Sequence, residues 1–224
     1  MATVPSRRST RPDCRSRISA QCLGEFPVLL AVERDVNKLM IVVGSVRPGR
    51  VGLPIAEWVR AEATKTGKFE IDFVDLAELA LPFMDEPKHP ILREYTKQHT
   101  IDWSARVDAA EAFIFVTPEY NYSFSPALKN ALDYLNKEWW RKPLGFVSYG
   151  GVSGGTRGVA GIMAITSVLG LVRVGANVEL NFGGKQVVDG VFQPQEKERA
   201  ILAKELVELD NLAGFLTPAR SSLI

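Results

Sequence analysis

The sequence predicts an α/β fold: a doubly wound, five-stranded parallel sheet in the order 2-1-3-4-5, with helices on both faces. Two observations point there. Short apolar runs rich in β-branched residues alternate with segments whose apolar residues recur at helical spacing. Three of the strand-to-helix junctions carry loops dense in Gly, Ser, Tyr or Asn, and such loops, at the carboxyl ends of parallel strands, are where open α/β sheets bind ligands.

The elements follow in order. Lys38 to Val43 (KLMIVV) reads as the first strand, and an amphipathic helix with Leu53, Ile55, Trp58 and Val59 inward follows the loop GSVRPGR. Phe69 to Asp75 (FEIDFVD) alternates as a second strand. Leu79 to Pro90 holds Pro82, Pro87 and Pro90, so it is a loop or short turn: a wall beside the site or a plain connector. Ile101 to Ala110 is a helix leading into a third strand, Ala112 to Val116 (AFIFV), apolar throughout as in a strand buried on both faces. Pro126 opens the next helix, with Leu128, Ala131, Leu132 and Leu135 in one stripe. Lys142 to Tyr149 gives the fourth strand, and a helix runs from Thr156 to Leu169, where Gly154, Gly158 and Gly161 offer a face that packs tightly on the sheet. Leu171 to Leu180 gives the fifth strand, bulged at Gly175; Asn181 to Phe192 is a turn-rich return, and Gln195 to Phe215 closes the fold as a helix.

Each of the three loops has its own chemistry. Gly44 to Arg50 (GSVRPGR) points backbone N–H groups and a helix N-terminus at an anion, with the Ser45 hydroxyl and the Arg47 and Arg50 guanidinium groups as further donors. It shares the outer glycines of a Walker A loop, but Arg50 and Val51 stand where Lys and Ser/Thr would grip a nucleotide and its Mg²⁺. No glycine stands two residues from another, so there is no dinucleotide fingerprint, and the loop suits a monophosphate. The second loop, in TPEYNYSFSPALKNALDYL, has the residues to stack on a flat ring and bond its polar edge. The third, Gly150 to Gly155 (GGVSGG), lets backbone approach a ligand closely. It also fits the G-x-S-x-G nucleophile elbow, but a hydrolase of that fold places its histidine after the serine, and His89 and His99 both precede Ser153.

The motifs GSVRPGR, PEYN followed by LKNALDYL, and GGVSGG together resemble the NADPH-dependent FMN reductase family. These are flavodoxin-like proteins that include quinone, azo-dye and chromate reductases, and the resemblance covers Lys38 to Phe215. It implies that Ser45 and Arg47 hold the FMN phosphate, with Arg50 as an additional donor. Pro118, Glu119, Tyr120 and Asn121 would line the isoalloxazine, and Gly150, Gly151, Ser153 and Gly154 would reach its other edge. Many relatives have Ser at position 50 and a small residue at 122, where this chain has Arg50 and Tyr122, so Tyr122 narrows the mouth of the site. Glu119 has a second reading, as a shaper of its loop. The resemblance further implies NADPH or NADH as hydride donor, a small-molecule acceptor, and a homodimer or homotetramer. The flavin carries the redox chemistry, so no catalytic side chain and no metal ligand is expected. The rival readings are a flavodoxin-type electron carrier and a flavin redox-sensing binding protein. Electron carriers of that type are strongly acidic, whereas from Lys38 onward the chain carries 21 basic and 22 acidic residues.

Composition limits the rest. The 224 residues are 46% apolar and 24% charged with formal charge +1, which suits one soluble domain and predicts neither a nucleic-acid nor a membrane partner. Residues 1–37 read as an extension outside a reductase domain spanning residues 38–224. Within it, Met1 to Gly24 carries Arg7, Arg8, Arg11, Arg15 and Arg17 against Asp13, and both cysteines, Cys14 and Cys22, lie in the same stretch. A disordered tail or a start upstream of the true one is favoured over a mitochondrial presequence, and the expected location is cytoplasmic. Trp139 and Trp140 read either as a subunit contact or as one core and one rim residue, and the histidines as surface residues.

Overall fold

The computed structural model describes residues 36–221. The expectations for residues 1–37 therefore fall, except at the last two residues, outside the described residues. Strand β1 (Asn37–Val43) is followed by α1 (Gly52–Lys65), β2 (Phe69–Asp75) and the single turn α2 (Leu76–Leu79). Next come α3 (Gln98–Ala109), β3 (Ala112–Pro118), α4 (Pro126–Asp133), β4 (Pro143–Gly150) and α5 (Thr156–Val168). Two short strands, β5 (Val172–Arg173) and β6 (Val178–Asn181), precede a hairpin of β7 (Val187–Val188) and β8 (Val191–Phe192), and α6 (Glu196–Ser221) ends the fold.

All pairings in the main sheet are parallel, in the order β2-β1-β3-β4-β5, with β6 also on β4. The expected order thus holds, but its fifth position is filled by two pieces. Val172 and Arg173 pair with Pro143 and Leu144, and Val178 to Asn181 pair with Val147 to Gly150. Between them the Ala176 amide leaves the ladder and donates to Glu208 on α6 at 2.8 Å. A backbone bond to a side chain thus interrupts the strand where a bulge was expected.

Alternation along the strands makes two cores. Leu39, Ile41, Val43, Ile114, Val116, Val147 and Tyr149 face α1 and α6. Met40, Val42, Phe113, Phe115, Leu144 and Phe146 face α3, α4 and α5. Helices on both faces are what a parallel sheet requires, because neither surface is left to water. On the second side Trp139 packs against Phe113 at 5.1 Å between ring centroids, and its indole donates to the Leu132 carbonyl. Trp139 is core and Trp140 is exposed, so the pair divides between core and rim.

One buried group has no apparent structural return. Glu205 of α6 is fully buried against Gly145 of β4, where a Cβ would stand 2.3 Å from its Oε1. Neither oxygen completes a hydrogen bond among the described residues. Burial holds the carboxyl well above its ordinary value; the Phe146 amide and Arg173 oppose this, and Glu208 reinforces it. The folded state therefore keeps a proton that the unfolded chain releases above about 4.5, and stability falls as pH rises from there toward the folded-state value. Glu205→Gln should flatten this decline: the Tm advantage of the variant over wild type grows between pH 5 and pH 8. Parallel Tm profiles would show that Glu205 does not titrate with folding.

Candidate functional site

The carboxyl ends of β1, β3 and β4 lie side by side, and hydrogen bonds fasten their loops together. The Gly44 amide donates to the Val116 carbonyl at 2.9 Å, and the Ser125 hydroxyl donates to the Gly44 carbonyl. The Glu119 amide donates to the Tyr149 carbonyl at 2.9 Å. The glycine loop is anchored beyond β4 by the Phe182 amide on the Gly150 carbonyl at 2.8 Å and the Asn181 side-chain amide on the Val152 carbonyl at 2.6 Å.

In the first loop Ser45 is buried, and its hydroxyl meets the Tyr120 hydroxyl at 2.6 Å. The chain turns between the Arg47 carbonyl and the Arg50 amide (3.1 Å), with Gly49 in the left-handed region at φ 69°. Helix α1 then starts at Gly52 without a side-chain cap, which leaves its first amides open to an external acceptor. Arg47 is exposed and forms no ion pair among the described residues, whereas Arg50 is ion-paired with Asp75. The other oxygen of Asp75 caps α2 through the Ala77 amide at 2.9 Å. Ser45, Arg47, Gly49, Arg50, Tyr120 and Tyr149 line a concavity of about 210 Å³. Two buried polar atoms on its lining residues, Arg50 Nε and the Tyr149 hydroxyl, have no partner among the described residues. Since buried donors are nearly always satisfied, this set fits an oxyanion.

The second loop is a two-residue hairpin. Tyr120 and Ser123 exchange backbone bonds at 2.8 and 2.9 Å around Asn121 and Tyr122, both left-handed at φ 49° and 69°. That is the type I′ pattern, which asparagine tolerates and a tyrosine at the second position does not favour. The Arg157 guanidinium lies 3.9 Å over the Tyr122 ring and helps to hold it there. Glu119, Tyr120 and Asn121 line a larger concavity of about 600 Å³ together with Val46, Arg47 and Pro126. An apolar hollow of about 550 Å³ adjoins it at Val46, Pro126 and Ala127, walled by Leu81, Pro82 and Phe83. Asn130 and Tyr134 hold the Pro82 carbonyl at 2.7 and 3.1 Å, so the proline-rich segment is a wall and not a bare connector.

In the third loop Gly155 sits at φ 91°, and a Cβ there would stand 2.6 Å from the Tyr149 nitrogen. Gly158 faces both the end of β3 and the second loop, and Gly161 faces the loop. A Cβ on Gly158 would meet the Ser123 and Pro118 carbonyls at 3.1 and 3.3 Å, and one on Gly161 the Phe124 ring at 3.2 Å. The expected close packing on the sheet thus holds at Gly154, where a Cβ would stand 3.3 Å from the β6 backbone, and at Gly158, against the end of β3, while Gly158 and Gly161 also seat the second loop. Ser153 donates to Glu119 at 2.7 Å. His99 lies on Asp85 at 3.0 Å, and His89 accepts from the Ile91 amide, so neither histidine attends Ser153 and the elbow is not a hydrolase site.

Glu119 is the hub that joins the second and third loops. One oxygen accepts from the Ser153 hydroxyl and the Arg157 amide (3.1 Å), and the other from the Arg157 guanidinium (3.0 Å). Burial alone would raise its carboxyl, but these bonds outweigh it and hold the value below the usual range. The clamp is thus in force above about pH 4.5 and is lost as pH falls through the depressed folded-state pKa. The structure brings Ser45, Arg47, Arg50, Pro118, Glu119, Tyr120, Asn121, Gly150, Gly151, Ser153 and Gly154 to one edge of the sheet, but Glu119 and Ser153 spend their side chains on each other. Sequence reasoning passed over Tyr149, Asp75 and Arg157. Alternation along β4, which turns Val147 and Tyr149 toward α1, was the available signal for Tyr149. Glu119→Ala should raise amide hydrogen exchange across Gly150–Arg157 severalfold at pH 7 and lower stability by about 1–3 kcal/mol. Unaltered protection there would show that the clamp does not restrain the loop.

The profile of the NADPH-dependent FMN reductase family matches residues 37–184. An NAD(P)H-dependent FMN reductase of Schizosaccharomyces pombe is 43% identical over 120 residues, which are 53% of this chain and 60% of that one. An FMN-dependent NADPH-azoreductase of Staphylococcus aureus is 34% identical over 115 residues, 51% of this chain and 61% of that one. The chain thus spans about 60% of the length of these relatives. In fold it resembles FerB, a flavoenzyme NAD(P)H:(acceptor) oxidoreductase from Paracoccus denitrificans, with TM-score 0.66 at 17% identity over 81% of this chain and 99% of that one. With a matched profile over most of its length, this chain belongs to the NADPH-dependent FMN reductase family.

Proposed function

We propose that the chain is an FMN-dependent NAD(P)H oxidoreductase that reduces a quinone, azo compound, free flavin or metal oxyanion. The observation that carries this reading is the convergence of buried, unpartnered donors at the start of α1 with the concavity beneath the second loop and the apolar hollow that adjoins it. Family membership, and relatives named as FMN reductases and azoreductases, support it.

In this reading Ser45 and Arg47 hold the FMN phosphate, and Arg50 contributes through Nε while Asp75 fixes its guanidinium. Pro118, Tyr120 and Asn121 line the ring. Gly150, Gly151 and Gly154 present backbone at its other edge, held in shape by the Glu119–Ser153 bond. FMN supplies the two-electron chemistry when bound. NAD(P)H is oxidised by loss of a hydride, and a quinone acceptor gains it with one solvent proton, so no side chain need act as nucleophile. The apolar hollow walled by Leu81, Pro82 and Phe83 suits a flat acceptor. The near-neutral charge from Lys38 onward favours this enzyme over a charge-steered electron carrier. A homodimer or homotetramer accords with the exposed Phe83, which walls the apolar hollow, and with the exposed Ile91 and Leu92, and cytoplasmic residence is part of the same reading. Neither nucleic acid nor membrane is a partner in it. Among the described residues, no helix is long and apolar enough to cross a membrane, and no cluster is placed to hold a metal.

The purified protein should be yellow with bound FMN, and NADPH added under nitrogen should bleach it directly. A flavin that stays oxidised would favour the carrier or sensor. A protein that cannot be reconstituted with FMN would exclude all three readings. Arg47→Ala should weaken FMN binding roughly tenfold or more, because a charged donor to phosphate contributes about 1.5–3 kcal/mol. Unchanged retention of FMN by this variant would remove Arg47 from the phosphate site.

A further inference from the structure

Tyr149 is the last but one residue of β4, and its ring belongs to the core between the sheet and α1. A residue placed there for packing alone needs no hydroxyl. The side chain is 7% exposed, and its oxygen has no hydrogen-bond partner among the described residues. Burying a hydroxyl without a partner destabilises the ligand-free fold. The oxygen does not stand there by accident of a loose fit. A Cβ on Gly52, the first residue of α1, would lie only 2.4 Å from it, so glycine at 52 is what admits the phenol to the helix start. Tyr149 also lines the concavity of Ser45, Arg47 and Arg50. A hydrogen bond with Ser45 would pull the phenol pKa down, but the Ser45 hydroxyl is engaged by Tyr120 at 2.6 Å, and the Tyr149 hydroxyl is left without a well-formed partner among the described residues. Arg50 Nε is the second buried donor of the same concavity without an acceptor. Both point to one missing class of partner, a compact anion at a helix N-terminus.

We propose that Tyr149 recognises phosphate: its hydroxyl donates to a phosphate monoester at the N-terminus of α1, in a notch that Gly52 keeps open. The proposal rests on the reading that the chain binds FMN, and it assigns the monoester to the flavin. Burial and the neighbouring Tyr120 push the phenol pKa up, against Ser45 and Arg50, so the group is a donor at neutral pH and never a competing anion. The hydroxyl is then a liability in the free protein and a binding group in the complex.

That pairing of opposite signs makes the test sharp. Tyr149→Phe in the full chain should leave the Tm of the flavin-free protein equal or higher. It should weaken FMN binding by roughly tenfold or more while leaving riboflavin, which lacks the phosphate, bound as before. Gly52→Ala, which drives a methyl into the phenol, should likewise weaken FMN more than riboflavin. Fluorescence quenching on titration reads each affinity without turnover. Equal loss of FMN and riboflavin in Tyr149→Phe would make the residue a packing element and overturn the proposal, as would no loss of either. The NADPH:NADH ratio of kcat/KM should not change in the variant. A fall in that ratio would move the monoester to the nicotinamide donor and overturn the assignment to flavin. If wild type binds neither FMN nor riboflavin, the flavin reading itself fails. Wild type that binds FMN alongside an unaffected Tyr149→Phe sinks only the role of Tyr149.

Discussion

Everything at the site depends on the parallel register of β1, β3 and β4. Parallel strands send all their carboxyl ends to one edge, and the helices that return the chain occupy the faces, so loops collect where no helix covers them. Two backbone bonds extend that register past the strands, from the Gly44 amide to Val116 and from the Glu119 amide to Tyr149. A loop tied to its neighbour's last carbonyl has little freedom to open independently. The anion cradle, the hairpin and the glycine loop therefore form one surface, although they come from distant parts of the sequence.

On this frame, charged side chains act mainly on one another. Asp75 holds Arg50 with one oxygen and caps α2 with the other, which fixes both the guanidinium and the turn after β2. Glu119 is 8% exposed and fully engaged by Ser153 and Arg157, and Arg157 in turn steadies Tyr122 in its unfavourable left-handed conformation. Such pairs add modestly to stability, since desolvation offsets much of their attraction. Their value is geometric: they hold the loops in shape before any ligand arrives, so less ordering entropy is lost on binding.

The strands and most helices were legible in the sequence because their signals are local. KLMIVV and AFIFV are apolar enough to be buried on both faces, and Pro126 with Leu128, Ala131 and Leu132 marks a helix start and its inner stripe. What was not legible depended on partners far along the chain. The fifth strand breaks because Glu208, on the last helix, takes the Ala176 amide. The hairpin at Asn121–Tyr122 lacks the Asn-Gly signature and owes its shape to Arg157 and to the notches at Gly158 and Gly161. Arg50 could be placed in the loop but not paired, because Asp75 ends a different strand. The site residues were found by type and spacing, whereas the contacts that shape them were set by tertiary proximity.

The pairing of charges also determines how an anion would be held here. With Arg50 neutralised by Asp75 and Arg157 by Glu119, Arg47 is left as the cation of the cradle without an ion pair among the described residues. The remaining donors are Arg50 Nε, the Ser45 hydroxyl, the buried Tyr149 phenol and the uncapped start of α1. Hydrogen bonds from fixed, buried dipoles are screened by salt far less than attraction between exposed charges. A phosphate bound by this set would be selected by shape, donor geometry and the local charge of Arg47, with the net charge of the whole protein contributing little. The formal charge of −1 from Lys38 onward fits that division, because a cradle built from oriented donors does not need a positive protein around it.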